Sequence, residues 1–304
     1  MNPFSVCRAL AMAVALLGPA GSANADLFSY YIANDVAPTM PSYTYFSGLA
    51  NPNEGRLTFL FAHTSGSLDD YHFHKIGAYS LVNPVTPTIV NRSYFTYGSG
   101  SFYGELPSYA IPEFFGDVPG SHDPLPLLPG SSLYAGKLTS QVVPGSEYSD
   151  LKIHSSNELF GFPADSPESR LLHNHDVYGE DYTGSLAGAV IALQLVDKSA
   201  GLHVGDLSTL DILTNVGDRF TISADGSSIA FTPVFWADAG TAGEFSATFK
   251  LVDLRTGGDA LGESGDFVFR LQLQAVPEPA SITLVASAAL VALGWRTLRA
   301  RRRP

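Results

Sequence analysis

The sequence predicts an all-β fold: a β-sandwich-like domain with long loops, followed by a C-terminal transmembrane helix. Three observations predict it. Phe245, Ala247, Phe249 and Leu251 alternate with Ser246, Thr248 and Lys250, and Phe267, Phe269, Leu271 and Leu273 alternate with Val268, Arg270 and Gln272. A period of two marks a strand with one face buried and one solvated. Turn formers recur throughout, with 29 Gly and 20 Pro separating short apolar pieces, and no long amphipathic helix interrupts them. Finally, an apolar run from Ser281 to Trp295 stands just before Arg296, Arg299, Arg301, Arg302 and Arg303.

The first 25 residues read as a signal peptide. Arg8 precedes the apolar run Ala9–Leu17, Gly18 and Pro19 break it, and Ala23-Asn24-Ala25 supplies a small-residue cleavage pattern. Nine apolar residues are too few to cross a bilayer. Residues 26–275 then form the exported domain, and residues 276–304 the C-terminal segment. By the positive-inside rule the terminal arginines stay in the cytoplasm and the domain lies outside.

Within the domain, residues 27–55 are aromatic and turn-rich and predict an irregular edge strand with loops. Residues 56–63 (RLTFLFAH) are the first clear strand, with Leu57, Phe59, Phe61 and His63 on one face. Residues 77–82 look extended and stop at Asn83-Pro84. Residues 84–170 carry short extended pieces at 88–90, 94–97, 136–143 and 150–153. Pro107–Pro129 reads as a long surface loop holding Glu113, His122 and Asp123. Leu186–Val196 suits a strand buried on both faces, with a helix as the competing reading. Ser208–Leu213 is a short strand or helical turn. Residues 219–222 and 229–232, around Asp225-Gly226, predict a hairpin.

Composition narrows the function. Removing Arg8 and the five tail arginines leaves 11 of the 17 basic residues against all 29 acidic ones, a net charge of about −18. Such a surface disfavours nucleic acid and anionic lipid. The only cysteine, Cys7, leaves with the signal peptide. Any metal site in the domain must therefore use His, Asp, Glu or water.

The sharpest chemical pattern is a pair of His-x-His elements. Tyr71-His72-Phe73-His74 and His173-Asn174-His175-Asp176 hold four of the eight histidines. In a strand, residues i and i+2 share a face, so each pair presents two imidazoles together. Two pairs brought together supply four nitrogen ligands, or three and an open position, a number that zinc takes and that copper or iron also use. Asp176 can ligate or orient an imidazole. His122, Asp123 and His154 are candidate outer ligands. The competing reading is solvated histidines on a strand face and in a polar loop. Enzyme patterns do not fit: Lys75-Ile76-Gly77 and Asp176-Val177-Tyr178 follow the pairs where a His-x-His-x-Asp-His hydrolase needs Asp and His. Ala78 and Tyr79 stand where a cupin needs Glu. No Gly-x-Ser-x-Gly elbow, P-loop or dinucleotide fingerprint occurs.

Pro277-Glu278-Pro279, the short apolar segment and the arginine cluster closely resemble the PEP-CTERM sorting signal of Gram-negative envelope proteins. That resemblance implies Sec-dependent export, a transient stay in the inner membrane, and cutting by an exosortase that recognises Pro277, Glu278 and Pro279. The sorted protein then belongs to the cell envelope, cell surface or extracellular space, where contact with exopolysaccharide is an expected role. With Tyr71-His72-Phe73-His74-Lys75-Ile76-Gly77 and His173-Asn174-His175, the chain also resembles the PEP-CTERM proteins repressed by the zinc-uptake regulator. This second resemblance implies Zn2+ as the ligand, His72, His74, His173 and His175 as its holders, and zinc capture without catalysis. A structural or adhesive matrix protein with no metal is the alternative, and a metal-dependent hydrolase is third.

Overall fold

The computed structural model describes residues 27, 30–40, 46–64, 68, 71–83, 85–91, 124–142, 150–173, 183–240, 243–257 and 259–273. The expected signal peptide, the strand at 94–97, His122, Asp123, the His175 position and the C-terminal segment lie outside these residues. Among the described residues no helix is long and apolar enough to cross a membrane.

The described chain is all-β. One sheet contains β1 (Tyr30–Asp35), β2 (Arg56–His63), β3 (His72–Gly77) and β8 (Ile153–Ser155), in the order β3-β2-β1-β8, with β9 (Thr183–Gly184) also paired to β1. A small sheet joins β4 (Ser80–Val82) to β5 (Thr88–Val90). The large sheet holds β6 (Leu125–Pro129), β7 (Lys137–Ser140), β10 (Ile191–Lys198), β11 (His203–Gly205), β12 (Arg219–Ser223), β13 (Val234–Asp238), β14 (Glu244–Asp253) and β15 (Phe267–Leu273). Its order is β11-β13-β7-β6-β15-β14-β10-β12. The pairs β1–β8 and β15–β6 are parallel.

The two main sheets feed one hydrophobic cluster. Tyr30, Ile32, Leu57 and Phe59 enter it from the first sheet, and Leu125, Leu127, Leu193, Phe249, Phe267 and Leu271 from the large one. Phe59 stacks on Phe267 with ring centroids 4.3 Å apart, within the range aromatic pairs favour. Burying each such ring contributes roughly 1.5–3 kcal/mol. A second cluster lies on the other side of β1 and β2. It joins Tyr31, Ala33, Leu60 and Ala62 to Leu159, Leu171 and Leu172. The last two belong to α1 (Pro167–Leu172), a six-residue helix.

Several sequence expectations change. β1 is not an edge strand: it lies inside its sheet and all six residues are buried. Aromatic side chains fill both of its faces, so the turn residues that follow only end it. The end of the expected Pro107–Pro129 loop is the strand β6, where Leu125 and Leu127 face the core and Pro126 takes an alternate position. The expected strand at Leu186–Val196 forms as β10, but it runs from Ile191 and is not buried on both faces: Ile191, Leu193 and Leu195 are in the core, and Gln194 and Val196 are half-buried. The stretch 208–213 is an irregular turn tied to β11 by the Ile212 amide on the Val204 carbonyl. The expected hairpin does not close on itself. β12 pairs with β10, whereas Phe231 bridges to Ile153 of β8. Gly226 turns the chain at φ +68, where a Cβ would stand 2.0 Å from the Leu186 carbonyl oxygen. That turn sends residues 229–231 to the other sheet.

Candidate functional site

Among the described residues, β3 is one edge strand of its sheet. Its register on β2 sets His72 opposite His63, Phe73 opposite Ala62 and His74 opposite Phe61. Phe73 meets Tyr31 edge-on at 5.3 Å and packs against the second cluster. His72 is half-buried at the start of the strand. By alternation its side chain leaves the strand on the face opposite Phe73.

The second pair begins differently from expectation. His173 does not lie in a strand; it closes α1, and its amide bonds to the Ser169 carbonyl at 2.9 Å. The sequence dictates this helix locally. The Ser166 hydroxyl caps its start by accepting from the Ser169 amide at 3.1 Å, Pro167 occupies the first turn, and Glu168 sits at the positive end of the helix dipole. Leu171 and Leu172 then anchor the helix in the cluster that also receives Phe73. α1 packs against β3. The helix that His173 caps and the strand that carries His72 and His74, about one hundred residues apart in the chain, are therefore in contact.

His72 and His173 are the two expected ligands whose side chains are described. The His74 side chain and His175 lie outside the described residues, and so do Asn174 and Asp176. Among the described residues no group of three or more His, Cys, Asp or Glu side chains is placed to hold a metal ion.

His154 has another role than a loop ligand. It is buried in β8, and its Nδ1 lies 2.7 Å from Glu158 Oε2. Glu158 belongs to a 3-10 turn over Ser156–Leu159, where it completes a capping box with Ser155. Burial opposes ionisation of this carboxyl. Hydrogen bonds from His154 and from the Ile229 and Ser155 amides outweigh burial and hold it below the usual carboxylate range.

One further constellation escaped the sequence reading. His203 stacks on Trp236 with ring centroids 3.8 Å apart and planes 12° apart, and its Nδ1 lies 2.9 Å from Asp211 Oδ1. Lys137 Nζ stands 3.6 Å from the same indole centroid and 3.3 Å from Asp238. Register explains the assembly: Trp236 is flanked by His203 on β11 and Thr139 on β7. The indole N–H donates to the Leu210 carbonyl at 2.6 Å. Beside it the Tyr134 hydroxyl bonds to the carbonyls of Asp206 and Thr209 at 2.6 and 3.0 Å. Burial, with Asp206 and Asp211 nearby, pushes that hydroxyl up to about 12. These contacts pin the 206–211 loop to the sheet. The indole is nearly fully buried, so it is a packing element rather than an open stacking platform. No short sequence spacing announces it, because the partners come from three distant strands.

No protein-family model, curated protein or solved structure matches the chain.

Proposed function

We propose that the chain is an exported β-sandwich protein of the cell envelope that captures zinc through His72, His74, His173 and His175. In this reading an exosortase acts at Pro277-Glu278-Pro279 after Sec-dependent export, and the exported domain does no catalysis. The observation that carries the metal assignment is the packing of α1 on β3. The helix ends at His173 and the strand starts at His72, so the packing brings the two segments together. Phe73 is the β3 side chain that meets the α1 cluster, His72 leaves the opposite face, and convergence of the imidazoles is what the titration tests. Neutral imidazoles suit zinc, and binding through them weakens in acid as protons compete.

The test is zinc titration of the tag-free protein with elemental analysis, beside a variant carrying Ala at all four histidines. About one zinc per chain, lost in the variant, is the expected result. A protein that takes up no zinc, with thermal stability unchanged in the variant, overturns capture. It leaves the second reading, a structural or adhesive envelope protein. That reading draws on the exposed Arg219 and the half-buried Gln194, Thr248 and Arg270, polar residues that alternate with apolar ones along strands of the large sheet.

A further inference from the structure

We propose that Glu158 is an acid-released clasp joining the β8 edge of the first sheet to the turn that follows β12 of the large sheet. The carboxylate reaches across the boundary. Its Oε1 accepts from the Ile229 amide at 3.1 Å and from the Ser228 hydroxyl at 3.4 Å. On its own side it accepts from the Ser155 amide at 3.4 Å, and its Oε2 meets His154 Nδ1 at 2.7 Å. One side chain thus ties β8 and its 3-10 turn to residues 228 and 229.

The rest of the junction does not ionise. The Ser155 hydroxyl donates to the Gly226 carbonyl at 2.7 Å. The Asn157 side-chain oxygen accepts from the Leu186 amide at 2.9 Å. Ile153 and Phe231 exchange backbone hydrogen bonds at 2.7 and 3.3 Å. Acid acts on this set through the Glu158 carboxylate. The Glu158 side chain is 29% exposed and the imidazole only 4%, so protons reach the carboxylate while its partner stays inside. The ionisable groups around it are His154 on β8, Tyr31 on β1 against that imidazole, Glu168, Arg170 and the capping His173 on α1, which packs on the 3-10 turn, and Asp225 in the turn that is held.

The sign follows from the bonds. Amide and hydroxyl donors favour the charged carboxylate, so the clasp is closed above the ordinary carboxylate range. It weakens as the pH falls through the depressed folded-state value. Protonation removes the negative charge that the Ile229 and Ser228 donors share, and it leaves His154 facing a neutral acid. The edge at β8 and the α1 layer beside it then loosen from the large sheet, while β14 and β15 keep their pairing. This device does not depend on a bound metal.

The test is amide hydrogen exchange of the full chain at about pH 7 and about pH 3, below the ordinary carboxylate range, corrected for intrinsic rates, in wild type, Glu158→Gln and Ser155→Ala. In wild type, acid should raise exchange at Ile229 and Leu186 roughly tenfold relative to β14, the scale of one lost charge-assisted hydrogen bond. Glu158→Gln should show that faster exchange already at neutral pH and gain little more in acid. Ser155→Ala loosens the same junction without touching the ionisable group, so its acid response should remain. Wild-type protection that does not fall selectively in acid overturns the proposal. An acid response equal in Glu158→Gln and wild type overturns it too. If Glu158→Gln does not fold, the wild-type and Ser155→Ala profiles still decide.

Discussion

β1 and β14 are both central strands, yet they are buried in different ways. All six residues of β1 are buried, whereas along β14 Phe245, Ala247, Phe249 and Leu251 are buried and Ser246, Thr248 and Lys250 are half-exposed. Above β1 lie the 3-10 turn and α1; their Leu159, Leu171 and Leu172 close over Tyr31 and Ala33. β14 shows a clean period of two because one of its faces meets solvent. A strand covered on both faces loses that period, and its neighbourhood gains a second layer able to hold other side chains. In this protein that layer carries His173 and lies beside His154 of β8, so one of the expected ligands sits where the pattern is hardest to read.

The largest expected effect breaks the comparison directly. Tyr31 and Thr248 both stand on the outer side of their sheets. Tyr31 is 1% exposed and packs against Phe73. Replacing it with Ala should cost about 3–5 kcal/mol, the range for truncating a buried aromatic. Thr248→Ala should stay within about 0.5 kcal/mol, as for a surface site. Chemical denaturation measures both. Equal losses would mean that the two outer faces are not different environments.

This contrast also explains what was legible in the sequence. β14 and β15 were readable residue by residue, because Phe249 and Phe267 alternate with Lys250 and Val268. β2 was readable from its apolar and aromatic run, although both of its faces are covered. β13 was not: Val234-Phe235-Trp236-Ala237 is buried throughout, since Tyr134 and the 206–211 loop cover one face. β6 was hidden by Pro126 and Pro129, which read as loop although Leu125 and Leu127 are fully buried. At the candidate site the His-x-His spacing was visible, but the conformation of the second pair was not. A helix capped by Ser166 and stopped at His173 has only two apolar residues in its final turn, too short for a period of 3.6 to emerge.

A second, smaller effect concerns how the covered sheet ends. Asp35, at the last position of β1, is 1% exposed. It accepts from the Ala37 amide at 3.1 Å and Asn51 Nδ2 at 3.0 Å, and it pairs with Lys75 of β3. Asp35→Ala should cost about 3 kcal/mol, the low end for breaking a buried pair, because Lys75 keeps access to water. A loss below about 1 kcal/mol would show that the network follows the fold rather than supporting it.

On the large sheet the matching device is Asp253, which ends β14. Its carboxylate accepts from the Val190, Arg255 and Leu261 amides and from the Arg255 guanidinium. Burial works against its charge, but these bonds outweigh burial and hold it below the usual range. A depressed folded-state value means stability that is present above the ordinary aspartate range and lost as the pH falls through it. Wild type should therefore lose unfolding free energy between about pH 5 and pH 2, and Asp253→Asn should flatten part of that slope while lowering stability at neutral pH. An unchanged slope in the variant would assign the acid response to other carboxylates, Glu158 first among them.

The smallest effect sharpens the comparison from the solvent side. Glu244, the first residue of β14, lies 3.6 Å from Arg270 across the β14–β15 pair, and its side chain is 60% exposed. Water screens such a pair, and holding two long side chains together costs entropy. Glu244→Ala should therefore change stability by less than about 0.5 kcal/mol, and added salt should erase what remains. The same substitution class differs severalfold between Glu244 and Asp35 because only one of them is roofed over. If Glu244→Ala instead costs as much as Asp35→Ala, the outer face of β14 is not open to water in solution, and a covering partner for the large sheet becomes the next object to find.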